Sequence, residues 1–376
     1  AVLPLEHQDI RVYLDNLFIE GKLHPVKAIN PPFEQHYWIR SGILDNAAED
    51  REIRLEKLLT ALSEAIPTAN ARHAEWLAFA GKWAELGALI HTGNPTTQSR
   101  FQPLQQQVNE HFSAWLAARY SSMIDLPPTQ PAMLHHVARR LARDLEDDPK
   151  ARIALIVMDG LSLDQWVTVR QVLQNQDRDL SMKESATFAW IPTLTSVSRQ
   201  AIFAGNPPLY FPASINSTNN EANHWRKFWE KQGLSRLDIV YQRGLGDGEV
   251  AEALDATFNP AKTKVLGLVV DKVDKIMHGM QLGAAGMHNQ IRQWCEGGFL
   301  HSLLAYLLDH NFQVWLTADH GNIECYGKGS PSEGVMAETR GERVRIYSSP
   351  ELRETVSRTL PFANTWEPVG LPAEYY

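Results

Sequence analysis

The sequence predicts an α/β fold, a mostly parallel sheet with helices on both faces, preceded by an α-helical domain. Three observations point there. Up to Pro149 apolar residues recur at helical spacing, and from Ala151 onward short apolar runs alternate with helical segments. Those runs also lack polar alternation, as strands covered on both faces do. The expected division is a helical domain over 1–149 and an α/β core over 150–376.

The helical half comes first. In 73–90, Trp76, Phe79, Trp83 and Leu86 fall three or four apart, which marks one buried helical face. The stretch 132–145 does the same with Leu134, Val137, Leu141 and Leu145, and turns Arg139, Arg140 and Arg143 largely outward. Polar breaks such as PTAN and LPPTQP separate the helices, and no fixed-period repeat runs through them.

In the second half the expected strands are 153–158 (IALIVM), 237–241 (LDIVY), 265–270 (VLGLVV) and 313–318 (QVWLTA). Helices are expected over 163–175, 196–204, 248–255 and 287–310. Between them, 206–233 reads as a loop-plus-helix insertion whose Trp225 to Trp229 part is a candidate wall for a substrate pocket.

Composition narrows the function. Of 376 residues, 44% are hydrophobic and 21% charged, and the longest apolar run is strand-sized, far short of the roughly 20 residues a bilayer span needs. The start has no basic-then-apolar signal. Cys295 and Cys325 are far apart with no CxxC, which argues against a disulfide framework and for a reducing cytoplasm. A net charge of −8 suits metal cations in an acidic site better than a polyanion gripped along its length. The lack of an initiator Met and the abrupt stop at Tyr376 suggest a piece of a longer protein.

The chemistry gathers where strands end. Three of the apolar runs close in acid: Asp159-Gly160, Asp271, and Asp319-His320-Gly321. In open α/β sheets ligands bind at the carboxyl ends of the strands. A single aspartate there is an ordinary turn former, but three at one sheet edge repel unless cations sit among them. The carboxylate–imidazole pair Asp319-His320 suits Zn²⁺ or Mn²⁺. Asp274 and His278 stand one helical turn apart, a spacing that can chelate one ion or simply face solvent. In Ile191-Pro192-Thr193-Leu194-Thr195, the proline precedes a helix, so Thr195 stands at a helix N-terminus that favours an anion. The alternative is that Thr195 only caps that helix.

This ordered set resembles the alkaline phosphatase superfamily, and within it the PglZ family of phage-growth-limitation and BREX-type defence. The matching segments are IALIVMDGLSLDQW, IPTLTSVSRQAIFAG, VVDKVDKIMH, TADHGNIE and RGERVRIY, spread over about 132–347. The resemblance implies a two-metal phosphohydrolase, with Zn²⁺ first in expectation and Mn²⁺ or Mg²⁺ as alternatives. One ion would be held by Asp159, Thr195, Asp319 and His320, and a second by Asp274, His278 and a later histidine. Thr195 would attack phosphorus and form a phospho-threonine that water then hydrolyses. Thr193 is the fallback nucleophile and Asp271 the fallback ligand. Arg199 is expected to touch a phosphate oxygen or to sit at the surface or core edge, and Asn322 and Glu324 to support the ligands.

The sequence departs from the superfamily pattern at one point. After His320 it has no histidine, so the later ligand is missing, and in relatives it would lie beyond where this chain stops. His224, His288, His301 and His310 could replace it only in an unfamiliar geometry. The expected partners are a phosphate ester, with a nucleotide or nucleic acid among the candidates, and other phage-defence proteins, with no membrane. Arg340, Arg343 and Arg345 are either a backbone contact for nucleic acid or a solvated face. The rival reading is a catalytically weak binding or assembly module of a defence complex.

Overall fold

A computed structural model describes residues 7–19, 21–23, 25–26, 47–91, 95–255, 258–259, 262–327, 329, 339–340, 344–360 and 363–376. The chain separates into two compact units. The first comprises Ala1–Trp115 with Leu163–Thr168, the second Leu116–Ser162 with Val169–Tyr376.

The first unit is helical, with α1 (Gln8–Ile19), α2 (Ala47–Glu64), α3 (His73–His91) and the first part of α4 (Pro95–Met123). Of the face read from the sequence, α3 buries Trp76, Phe79 and Leu86, while Trp83 is half-buried. Trp76 packs against Trp115 with ring centroids 5.7 Å apart, and the Trp115 indole donates to the Ala71 carbonyl at 2.8 Å. Buried Glu85 is paired with Arg54 at 2.5 Å, the condition on which a carboxylate leaves water.

The second unit continues with α5 (His136–Asp147), β1 (Ile153–Met158), α6 (Leu163–Gln176), α7 (Thr195–Ala204), α8 (Glu221–Lys231), β2 (Ile239–Leu245) and α9 (Val250–Asp255). Then come β3 (Val265–Val270), α10 (Lys272–His278), α11 (Gly283–Glu296), α12 (Phe299–Asp309) and β4 (Gln313–Ala318). A two-residue ladder, β5 (Thr339–Arg340) with β6 (Arg345–Ile346), and α13 (Pro350–Ser357) follow. Part of α6 thus falls in the first unit. The main sheet has four strands in the order β2-β3-β1-β4, all parallel, with helices around it, as the apolar runs required. Every residue of β1 and β3 is buried, which explains why these two read as unbroken apolar runs.

Four local expectations need correction. Residues 287–310 are not one helix, because Gly297-Gly298 breaks them into α11 and α12, and Gly298 takes the left-handed φ of +88° that glycine tolerates. Strand β2 starts at Ile239 rather than 237, since Ser235 and Asp238 form a capping box around a 3-10 turn that takes up Leu237. Arg139 does not face outward; its Nε donates to the Gly205 carbonyl at 2.5 Å. Trp225 and Trp229 are core residues rather than a pocket wall. Both are fully buried, and the Trp225 indole donates to Val240 of the edge strand at 3.0 Å.

Candidate metal centre

Register brings the acids together. Met158 at the end of β1 pairs with Val270 of β3 on one side and Ala318 of β4 on the other. The next residues, Asp159, Asp271 and Asp319, therefore leave the same edge on adjacent strands, which lie about 4.8 Å apart. Ligand atoms of Asp159, Asp319 and His320 all come within 4.8 Å of one another.

Each member is held by hydrogen bonds. Asp319 is fully buried, and its Oδ1 accepts from the amides of Gly160 and His320, both at 2.9 Å. Gly160 adopts φ +72° in the turn after β1, and Asn322 ties that turn down by donating to the Gly160 carbonyl at 2.7 Å. Asp159 Oδ2 accepts from Arg199 Nη1 at 2.6 Å. The His320 Nδ1 lies 2.8 Å from the Gly321 carbonyl, and since that oxygen can only accept, the neutral ring carries its proton on Nδ1. Nε2 is left with a lone pair, and Thr195 Oγ1 sits 2.9 Å from it.

Thr195 is the first residue of α7 and not its cap. The cap position belongs to Leu194, which offers no side-chain oxygen. The hydroxyl is therefore not consumed by the helix end, and it stands in the positive field of the α7 N-terminus. Thr193 lies two residues earlier, in the coil before the helix.

Not all predicted residues join. Asp274 flanks the centre, for a Cβ placed on Gly160 would meet Asp274 Cβ at 3.9 Å and His320 Cε1 at 3.8 Å. His278 approaches Asp274 at 3.5 Å, but its side chain is 73% exposed. Asp271 is engaged elsewhere, in an ion pair with Lys275 at 2.8 Å. Glu324 does not support a ligand; its carboxylate accepts from the Ala284 amide at the start of α11, at 3.1 Å. His224 is held among Gln200, Ser214 and Asn220, and His310 packs against Tyr306 and Phe258, so neither serves the centre. His288 is buried within α11, and His301 lies on α12. Arg343 and the Arg340 side chain lie outside the described residues.

Arg199 reaches no open position for a phosphate. Its Nε and Nη2 donate to Glu221 Oε1 and Oε2 at 2.9 and 2.7 Å, while Nη1 serves Asp159. Burial alone would lower this guanidinium, but the hydrogen bonds and charge of Glu221, with Asp159 and Asp319, hold it above its ordinary value. Glu221 is the member of this buried network that the sequence did not reveal. It lies 22 residues past Arg199 at the start of α8, and no spacing rule links the two.

The donor set fits a divalent cation. Asp159, Asp319 and Glu221 against Arg199 leave a formal excess of two negative charges, all buried. Asp159 Oδ1 and Asp319 Oδ2 are buried oxygens with no hydrogen-bond partner. Burial raises Asp319 well above the usual carboxylate range, with Asp159 adding to the rise and His320 opposing it. Burial and the charge of Asp159 raise Asp274 as well. Carboxylates so placed are held charged by a cation or else keep a proton.

No helix among the described residues is long and apolar enough to cross a membrane. The sequence model of the BREX system PglZ alkaline phosphatase-like domain matches residues 137–376, from the start of α5 through the whole sheet. Comparison with curated proteins returns no match. The family match covers well over half of the chain and includes every residue of the centre, and the parallel sheet agrees with it: the chain belongs to the PglZ family, with the alkaline phosphatase-like domain of BREX defence.

Proposed function

We propose that this chain carries the core of a metal-dependent phosphohydrolase, a phosphatase or phosphodiesterase, with Thr195 as its nucleophile. The observation that carries this reading is the 2.9 Å contact of Thr195 Oγ1 with His320 Nε2, beside two buried carboxylates with unpartnered oxygens. Asp159, Thr195, Asp319 and His320 would hold a first cation, Zn²⁺ before Mn²⁺ or Mg²⁺, and Asp274 with His278 a second. Bound there, such an ion eases loss of the Thr195 proton and offsets charge on the phosphoryl oxygens.

The remaining work belongs to side chains and backbone. The α7 N-terminus favours the alkoxide form of Thr195 and an anion in front of it. The amides of Gly160 and His320 fix Asp319, and Arg199 fixes Asp159, so neither carboxylate reorganises as charge develops. The Thr195 proton passes to solvent, Oγ1 attacks phosphorus, and the new O–P bond forms as the ester O–P bond breaks; the departing oxygen takes a proton from solvent and leaves as the alcohol. Water then attacks the phospho-threonine, the Oγ1–P bond breaks, phosphate is released with one water proton and the other restores the hydroxyl.

The reading is tested on the protein with Zn²⁺, Mn²⁺ or Mg²⁺, using phosphate mono- and diesters. Thr195→Ala and Asp319→Ala are expected to lower kcat at least about a hundredfold. Equal activity in wild type and both variants would remove the catalytic role. One observation favours a second reading, a weakly catalytic assembly module within the defence system: among the described residues, no third histidine, cysteine or carboxylate joins Asp274 and His278. Partner assembly that survives both substitutions, without ester hydrolysis by wild type, would favour it.

A further inference from the structure

We propose that Glu221 is a positioning residue of the candidate centre, acting on Asp159 through Arg199. The inference rests on Asp159 being a cation ligand, as proposed above.

Arg199 lies between two carboxylates that receive it differently. Glu221 takes it bidentately, through Nε and Nη2, whereas Asp159 receives the single bond from Nη1. The two-pronged pair is the stronger one and the more fixed in geometry. Glu221 is fully buried, and its Oε2 also accepts from the Tyr241 hydroxyl of β2, so its carboxylate is held from both sides. Glu221 is therefore the two-pronged counter-ion of the guanidinium. Asp159 has Oδ2 anchored and Oδ1 left as a buried oxygen without a partner.

Without the charge of Glu221 this division fails. Arg199 would become a buried cation whose only remaining bonded anion among the described residues is Asp159, and that carboxylate would serve as its counter-ion instead of a metal's. The placement gives the 206–233 insertion a task. Its helix α8 begins at Glu221 and is anchored by fully buried Trp225 and Trp229, so a segment distant in sequence delivers a fixed carboxylate behind the centre.

The test is a zinc titration of the full chain against a competing chelator, for wild type, Glu221→Gln and Tyr241→Phe. Circular dichroism and melting of each metal-free protein report folding. Glu221→Gln is expected to weaken zinc binding about tenfold or more while the chain stays folded, as loss of a partner behind a ligand does. Tyr241→Phe is expected to weaken it about threefold, and Glu221→Asp to recover part of the loss. A purely structural role would lower the melting temperature and leave the affinity of the folded protein unchanged. Zinc affinity of Glu221→Gln within about twofold of wild type overturns the proposal and leaves the metal reading standing. If that variant does not fold, Tyr241→Phe decides by the same criterion. Wild type that takes up no zinc overturns the metal reading, and this inference with it.

Discussion

At the scale of single residues, a buried histidine outside the centre sets a measurable pH dependence. His135 and His136 place both Nε2 atoms on the Ile124 carbonyl, at 2.9 and 3.0 Å. The Met133 amide donates to His136 Nδ1 at 3.2 Å, so the His136 proton sits on Nε2. His135 bonds the same carbonyl through its own Nε2, which leaves Nδ1 buried with no partner. Burial, reinforced by neighbouring His136 and Arg139 against the pull of the Ile124 carbonyl, lowers His135 from its ordinary 6.5 to about 3. The unfolded chain then binds the extra proton throughout that window. Stability is fully present above about pH 6.5 and is lost as the pH falls toward 3, at up to about 1.4 kcal/mol per unit. The expected difference between pH 8 and pH 5 is about 2 kcal/mol from this residue. Urea unfolding at the two pH values should show a smaller difference in His135→Asn, and an identical one would sink the assignment. The contrast with the centre is instructive. That Asp159, Thr195, Asp319 and His320 gather in one place was legible because each stands where a strand ends or a helix begins, positions the apolar pattern marks. The place of Glu221 beside them was not, because it comes from a contact across two elements, which no periodicity encodes.

At the scale of elements, the sheet was legible and its covering layer was less so. Strands β1 and β3 announce themselves because both faces are covered, whereas β2 was displaced by two residues through a capping box with no apolar signature. The Trp225 to Trp229 segment looked like a pocket wall and proved to be core, since aromatic content alone does not say which side of a helix meets the sheet. How close that layer lies is measured at Gly267, in the middle of β3. A Cβ there would meet Trp225 Cε2 at 3.0 Å and Phe203 Cε1 at 3.1 Å. Those rings pack edge to face with centroids 5.6 Å apart, so neither can swing away freely. Gly267→Ala is expected to destabilise the protein by about 1–3 kcal/mol through overpacking, although alanine is otherwise no worse in a strand. Denaturant unfolding measures this, and adding Phe203→Leu should recover part of the loss. A Gly267→Ala variant as stable as wild type would mean the helical layer is looser than the distances imply.

At the scale of the molecule, the proposed first site ties distant parts of one unit into a single cooperative event. Its residues run from Asp159 to His320 in the sequence and meet only because parallel register aligns Met158 with Ala318 and brings the start of α7 beside them. The unfolded chain has no comparable cluster, so a cation binding there binds the native state almost alone. The linkage then stabilises by about 2.7 kcal/mol when the free ion is a hundred times its Kd. For a unit of this size that corresponds to a rise in Tm of about 5–10 °C. Melting curves with saturating zinc and with chelator should show this rise in wild type, a smaller one in Thr195→Ala, and none in Asp319→Ala. The aspartate variant is the discriminating case. Asp319 supplies a fully buried charge, and in the metal-free protein that charge is costly, which is why burial raises its proton affinity. Asp319→Ala should therefore melt at or above metal-free wild type while losing the response to zinc. An equal zinc-induced rise in wild type and Asp319→Ala would place the ion elsewhere on this acidic chain, and no rise in either would leave the buried carboxylates without the cation their geometry fits.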